Sequence, residues 1–425
     1  LRHFGTVHKA GVKAVDKSRL TIYIMQNNSE TIIVGAGIAG LYTAYLLKKR
    51  GSTSFIVLEK GDIGGRAGTN LFHGVPVAIG AGVGRKRKDK VLISLLNDLS
   101  VPYSEFKTNT QYSDSLDCDV RHIFMQIKRA YESLSTKPVG KTFREFAEPL
   151  LGKSVYAEFI QCAGYTDYEK EDIESTLYDY GFDDNYLNWT GLSIPWKKLV
   201  NKLVAYIGKD RIVSGTEVIK ITKADANFIL NTREGSSYNC SRLIVATTAS
   251  TLKKLFPTFP VYKQICGQPF LRIYGKFDKD SAKKITEQIN GHILVVPGEL
   301  QKIIPMNPTK GVFMIAYSDN RRANALRRYT ENTEENRRVL SHKLETAIGL
   351  PPNTLTMLDM VHFYWEEGTH YYLPLLPEYG TRSYFIRNAQ NPFPNIYVVG
   401  EVVSRNQGWV EGALESVVKI EKFLC

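Results

Sequence analysis

Three glycines followed by a distant carboxylate are the first residues here whose types and spacing could do chemistry. Gly35, Gly37 and Gly40 fall in the run Gly35-Ala36-Gly37-Ile38-Ala39-Gly40. Glu59 follows about twenty residues later, the spacing of a dinucleotide site. Gly35 permits a tight turn, Gly37 lets the backbone approach a pyrophosphate, and Gly40 lets a helix pack closely on a strand. A carboxylate at Glu59 can accept both hydroxyls of an adenosine ribose. With no arginine nearby for a 2′-phosphate, the expected ligand is FAD or NAD rather than NADP.

These residues need a strand before the turn and a helix after it. Thr31-Ile-Ile-Val34 reads as a buried strand, Leu41–Leu47 as an apolar helix and Phe55–Leu58 as a second strand. The helix N-terminus, including Ala39, offers free N–H groups and a positive dipole end to an anion.

The stretch Glu59-Lys60-Gly61-Asp62-Ile63-Gly64-Gly65-Arg66-Ala67-Gly68-Thr69 resembles the Gly-Gly-Arg run of the flavin-containing amine oxidase family. That superfamily also includes phytoene desaturases and protoporphyrinogen oxidases. Two further segments are similar to the family: Phe72–Val83 with Gly80, Ala81 and Gly82, and the closing run from Gly400-Glu401 to Gly408-Trp409-Val410-Glu411-Gly412-Ala413. The resemblance implies an α/β fold, in which a Rossmann-type FAD-binding domain interleaves with an α+β substrate domain. It implies that Gly65 and Arg66 lie over the pyrophosphate, that Gly80–Gly82 lies against the flavin ring and that Val218 packs beside the adenine. Glu401 would bond the ribitol, with Gly400, Gly408 and the helix start at Trp409–Val410 facing the flavin.

It also implies the chemistry, which the flavin carries. A carbon beside a neutral amine gives hydride to flavin N5, the imine hydrolyses, and O₂ reoxidises the flavin to yield H₂O₂. The protein orients the carbon and excludes water. Monoamine and polyamine oxidases often cage the substrate between two aromatic rings. Trp409 falls where the family has one; Tyr371 is expected to supply the other, with His370 or Tyr372 as register alternatives. Monoamine oxidases tether FAD through a cysteine, but Gly368 and Thr369 stand nearest that position, so the FAD is expected to be non-covalent. The family usually places a lysine near N5. Here Pro269–Tyr274 offers Arg272, which stays charged and cannot shuttle a proton; Lys276 is the register alternative, and a solvated strand residue the plain one.

The expected activity is oxidation of a small amine or polyamine-like substrate. The alternatives are a same-fold FAD oxidase or desaturase with a non-amine substrate, and a non-catalytic FAD-stabilised scaffold docking through a basic face. Organisation follows the motifs: an arm at 1–24, non-native or processed; an FAD-binding domain from 25–84, 210–265 and 389–425; a substrate domain from 85–209 and 266–388. Within these, Leu192–Ile207 reads as a helix and Arg211–Ile221 as a strand.

At 425 residues, 43% of them apolar, the chain can fill more than one core. Its net charge of +12 creates a field that repels polyamines and attracts anions. The basic runs at Arg85–Lys90 and Arg321–Arg338 are solvated faces or a docking patch for an anionic partner. Against them stands a stretch with Asp167, Glu169, Glu171, Asp172, Glu174, Asp179, Asp183 and Asp184 among tyrosines, read as a cation-guiding entrance or a polar surface loop. Five scattered cysteines without metal-ligand spacing suggest reduced thiols and a cytoplasmic protein, with no metal. No apolar run reaches the length of a membrane span, so a soluble protein is expected.

Overall fold

A sheet of five parallel strands carries the glycine turn in the computed structural model, which describes residues 28–180 and 189–424. Its order is Ile396–Val398, Arg242–Val245, Thr31–Val34, Phe55–Glu59 and Ile212–Ser214. Thr31–Val34 and Phe55–Glu59 are buried throughout, as continuous apolar strands are when both faces of a parallel sheet are covered. On one face the helices Ile38–Lys49, Trp196–Ile207 and Val410–Ile420 share a core through Leu41, Leu47, Leu199, Leu203, Leu414 and Val417. The three-stranded sheet Val218–Ala224, Asn227–Thr232 and Ser237–Cys240 supplies Val218, Leu230 and Tyr238 to the other face.

A second sheet has six strands. The order is Met357–Tyr372, Ile265–Phe277, Val312–Asp319, Lys302–Asn307, Ile293–Val295 and Thr110–Tyr112. Helices Lys279–Ile289, Asn320–Leu326 and Glu334–Ala347 cover it, burying Ile285, Leu326 and Leu344. Its two longest strands pair antiparallel, but the register shifts between Gln268, opposite Thr369, and Phe270, opposite Trp365. Pro269 has no N–H to give the ladder, so Glu366, Glu367 and Gly368 bulge out of it. Helices Val120–Ser133, Phe143–Leu151, Lys153–Ala163 and Ile173–Tyr178 build a separate core around Ile127, Phe143, Phe159 and Tyr168.

Four expectations need correction. Thr190–Ser193 is a strand paired with Gly84–Arg85 and Ser104–Lys107, and the helix starts at Trp196, because Pro195 caps it. The strand expected over Arg211–Ile221 is two, Ile212–Ser214 and Val218–Ala224, broken near Gly215 at φ +70. Cys118 and Cys162 form a disulfide, so the thiols are not all reduced and the cysteine argument for a cytoplasmic setting fails. The acidic, tyrosine-rich stretch is no surface loop: Tyr168, Glu171 and Asp172 are buried. Its Asp183 and Asp184, like the arm at 1–24, lie outside the described residues. Among the described residues no helix is long and apolar enough to cross a membrane, and no cluster of ligating side chains could hold a metal ion.

Candidate active site

The glycine turn closes on itself by backbone contacts. Gly35 N–H donates to Leu58 O at 2.8 Å, and Gly64 N–H to Ala36 O at 2.8 Å, laying the Gly-Gly-Arg loop against the turn. Gly35 has φ +105, and a Cβ there would stand 2.2 Å from Ala246 O; one on Gly40 would stand 1.9 Å from Gly35 O. Gly37 differs: a Cβ there would meet nothing within 4 Å. Gly37 also caps the helix Ile38–Lys49, whose first turn, with Ala39, receives no side-chain cap. Glu59 accepts the Ala36 N–H at 2.6 Å and the Gly61 N–H at 2.7 Å, so its carboxylate sits at the turn. Val218 is buried two residues after Thr216, whose N–H donates to Glu59 O, whereas Lys60 is exposed.

A charged trio ties this turn to the far end of the chain. Arg66 Nη1 donates to Glu401 Oε1 at 2.8 Å and to Gly368 O, on the bulge, at 2.7 Å. His370 Nδ1 bonds the same carboxylate, and Gly408 N–H donates to its Oε2 at 3.0 Å. Gly400, at φ +126, turns the chain just before Glu401, and its N–H donates to Ser416 Oγ. Burial pushes the Glu401 carboxyl up, but His370, Arg66 and the Gly408 N–H outweigh it and hold it well below the usual carboxylate range. Ala249 N–H donates to His370 Nε2 at 3.1 Å, which places the ring proton on Nδ1, toward Glu401. Burial opposes charge on this imidazole, yet Glu401 and Glu367 together raise its basicity. His370 is therefore a structural link, not a cage wall, and Tyr372, fully buried with its hydroxyl on Ser404 O, is not one either.

Gly82 lies between two groups. On one side Trp196 Nε1 donates to Gly82 O at 2.9 Å, and the Trp196 ring meets Trp409 edge-on with centroids 6.0 Å apart. Trp409 Nε1 in turn donates to the buried Asp89 at 2.8 Å. On the other side the Arg272 guanidinium stands 3.1 Å from where a Gly82 Cβ would be, and stacks on Tyr317 at 4.3 Å. Gly80 packs on the Arg66 carbonyl, and Ala81 N–H donates to that oxygen at 2.8 Å. Arg272 is only 4% exposed, which removes the solvated alternative. Lys276 is also removed: its Nζ donates to the carbonyls of Lys310 and Phe277 at the strand's far end. Tyr371 is partly open and faces Cys266 across the ladder.

Beyond Tyr317, sequence reasoning named Asp167 as part of the acidic stretch but missed Lys302 and Asp319. Lys302 is buried with its amine 3.3 Å from the Tyr165 ring centre, and Tyr165 meets Tyr317 edge-on at 5.5 Å. Asp319 accepts from Thr166 N–H, Thr166 Oγ1 and Gln301 Nε2. Asp167 accepts from the Tyr180 hydroxyl at 2.6 Å. Burial, reinforced by Asp319, pushes the Asp167 carboxyl up to about 7; burial takes the Lys302 amine down to about 7, against the pull of Asp167 and Asp319. The basic runs also turn partly inward: Arg85 pairs with Asp89 at 3.1 Å, and Arg322 feels the charge of Asp319.

The family described as flavin containing amine oxidoreductase matches residues 111–418, more than half of the chain, and an NAD(P)-binding Rossmann-like domain matches residues 33–99. The chain belongs to the flavin-containing amine oxidoreductase family. Its fold is that of a cyclohexylamine oxidase from Brevibacterium oxydans, with a TM-score of 0.73 at 16% identity, covering 93% of this chain and 98% of that one. A wild-type putrescine oxidase bound to putrescine superposes with a TM-score of 0.71 at 15% identity, covering 93% and 99%. A Baeyer-Villiger monooxygenase of Penicillium patulum is 41% identical over 69 residues, 16% of this chain. The chain spans only 11% of that curated relative's length.

This family member is an FAD-dependent oxidoreductase, and its glycine turn fits the cofactor. Gly35 and Gly40 are demanded by the protein's own packing, but the open space at Gly37, beside an uncapped helix start and the Glu59 carboxylate, is a cradle that a side chain would fill.

Proposed function

We propose that this flavoenzyme oxidises a small amine at the carbon beside the nitrogen, with O₂ as the electron acceptor. The observation that carries the reading is the Trp196–Trp409 pair held at Gly82, one short segment away from the Arg66–Glu401–His370 trio. FAD would be held non-covalently by Gly35, Gly37, Ala39, Gly40, Glu59, Lys60, Gly65, Arg66, Val218, Gly400, Glu401, Gly408 and Val410, with Gly80, Ala81 and Gly82 beside the ring. When bound, FAD supplies a two-electron acceptor for the C–H bond next to a neutral amine and passes the electrons to O₂, giving H₂O₂; water then converts the imine to a carbonyl compound and ammonia.

The protein's own part is positional. The indole of Trp409, held by Asp89 and Trp196, forms a fixed wall, and Tyr371 forms the opposite one. The closed packing around Tyr372, Trp196 and His370 excludes water from the reacting carbon. The test is the visible spectrum of the holoprotein before and after anaerobic addition of a mixed pool of amines and amino acids. Bleaching that reverses on admitting air, with peroxide formed, is the expected result, and Trp409→Ala should retain flavin while slowing it at least tenfold. A yellow protein that no member of the pool bleaches overturns amine oxidation. Arg272 favours a second reading, a non-amine substrate, since its fixed charge opposes an ammonium nearby.

A further inference from the structure

We infer that the amine oxidised by this enzyme also carries a carboxylate, as in an amino acid, and that Arg272 receives it; the inference rests on the amine-oxidation reading above. Arg272 lies on the strand Ile265–Phe277 and is nearly sealed from solvent, yet among the described residues no carboxylate pairs with it. Among the described residues the hydroxyls of Tyr274 and Tyr317 stand beside its N–H groups. A buried cation without a counter-charge costs several kcal/mol in desolvation. That cost is recovered when a ligand brings the missing anion. The planar guanidinium fork matches a carboxylate through two parallel N–H···O bonds, which a lysine at this position could not offer.

A second cation strengthens the assignment. Lys302 is 7% exposed, rests on Tyr165, and likewise has no carboxylate pair among the described residues. Tyr165 and Tyr317 meet edge-on, so the two cations occupy the two arms of one aromatic corner, closed by Phe270 at 5.8 Å from Tyr317. The nearby acids are committed elsewhere: Asp319 to Thr166 and Gln301, Asp167 Oδ1 to Tyr180. Tyr165, Asp167 and Tyr317, which border the corner, keep part of their surface open. A diamine would bring its second ammonium toward the fixed charge of Arg272, where the repulsion in a buried setting is strong. The net charge of +12 biases approach in the same sense, toward anions. Arg272 meets the same Gly82 whose carbonyl Trp196 holds, and Trp196 meets Trp409, so a carboxylate on Arg272 would stand close to that pair of rings.

The experiment compares anaerobic flavin reduction by a pool of the protein amino acids with reduction by the pool of amines made by decarboxylating them. Reduction at least tenfold faster with the amino acids is expected; faster reduction by the amines overturns the inference and leaves amine oxidation standing. Alongside, butyrate, butyramide and butylamine are titrated into the oxidised holoprotein and the flavin spectrum is followed. A shift with butyrate alone is expected, with Arg272→Met weakening it by roughly ten- to a hundredfold, the size of a hydrogen bond to a charged group. Absence of a butyrate shift overturns the carboxylate site. If neither pool reduces the flavin but butyrate still shifts it, amine oxidation falls and the carboxylate site stands. The wild-type comparisons need no variant to fold, and Arg272→Lys, which keeps charge but loses the fork, should weaken butyrate several-fold.

Discussion

Around the glycine turn, Glu59, Glu401 and His370 are each bonded to named partners, whereas around Tyr165 and Tyr317 the basic groups of Arg272 and Lys302 are buried with no carboxylate pair among the described residues. The first region is satisfied by the protein itself, largely through backbone groups and glycines. The second leaves charge unanswered, as a surface made for a solute does. On the proposed function, the difference separates what would hold the cofactor from what would select the substrate.

The glycines give the sharpest way to break that comparison. Gly37→Val adds side-chain atoms to space the protein does not use, so the apoprotein should melt within about 2 °C of wild type while flavin retention is lost. Gly40→Val drives a Cβ into the Gly35 carbonyl, and overpacking of this kind costs about 1–3 kcal/mol or more. It should lower the apoprotein melting temperature by several degrees as well as remove flavin. Thermal melts with and without added FAD separate the two. Equal apoprotein destabilisation would show that Gly37 serves packing rather than a ligand.

Legibility followed the same division. Gly35, Gly37, Gly40 and Glu59 lie in a short run whose spacing reports a local backbone geometry, whereas Glu401 and Gly408 were picked out only through the family resemblance of their run. Arg272 was visible as a departure from the lysine expected there, but its burial was not, since an arginine in an apolar strand reads equally as a solvated edge. Lys302 gave little signal: it opens a strand after Gln301 and looks exposed until the helix ending at Ala163 and the following Gly164 and Tyr165 close over it. The tyrosine-rich stretch was misread because the burial of Tyr168 depends on helices drawn from Phe143–Leu151 and Lys153–Ala163. The Cys118–Cys162 bridge was hidden for the same reason, its cysteines lying 44 residues apart on segments that meet only through packing.

A change of intermediate size sharpens the charged side of the comparison. Glu401→Gln keeps the shape but leaves Arg66 and His370 without their shared carboxylate, and breaking such a buried pair costs about 3–5 kcal/mol. The pH dependence has a definite sign. The folded-state carboxyl is held below its ordinary value near 4.5. Its contribution is therefore complete above that value and is lost as pH falls through the lower, folded one. Urea melts of wild type and variant should differ most near about pH 6 and converge in acid, and the gap should also narrow toward alkaline pH as His370, whose basicity Glu401 raises, loses its proton. A gap that instead widens below about pH 4.5 would mean that the carboxylate is not the ionised partner of His370 and Arg66.

The smallest expected effect concerns the lysine on the Arg272 strand. Lys276 lies four residues on, with its amine spent on the carbonyls of Lys310 and Phe277. The two residues differ in what surrounds them rather than in charge: one is buried and unpaired against Gly82, the other is capped by backbone oxygen at the sheet's end. Lys276→Met should cost at most about 1 kcal/mol, the worth of an exposed hydrogen bond, and leave both flavin reduction and the butyrate shift unchanged. A Lys276→Met enzyme that binds flavin but is reduced tenfold more slowly would return the register to Lys276. It would also remove Arg272 from the reacting end of the site, since the extended strand between residues 272 and 276 spans about 13 Å, too far for both to face one substrate carbon.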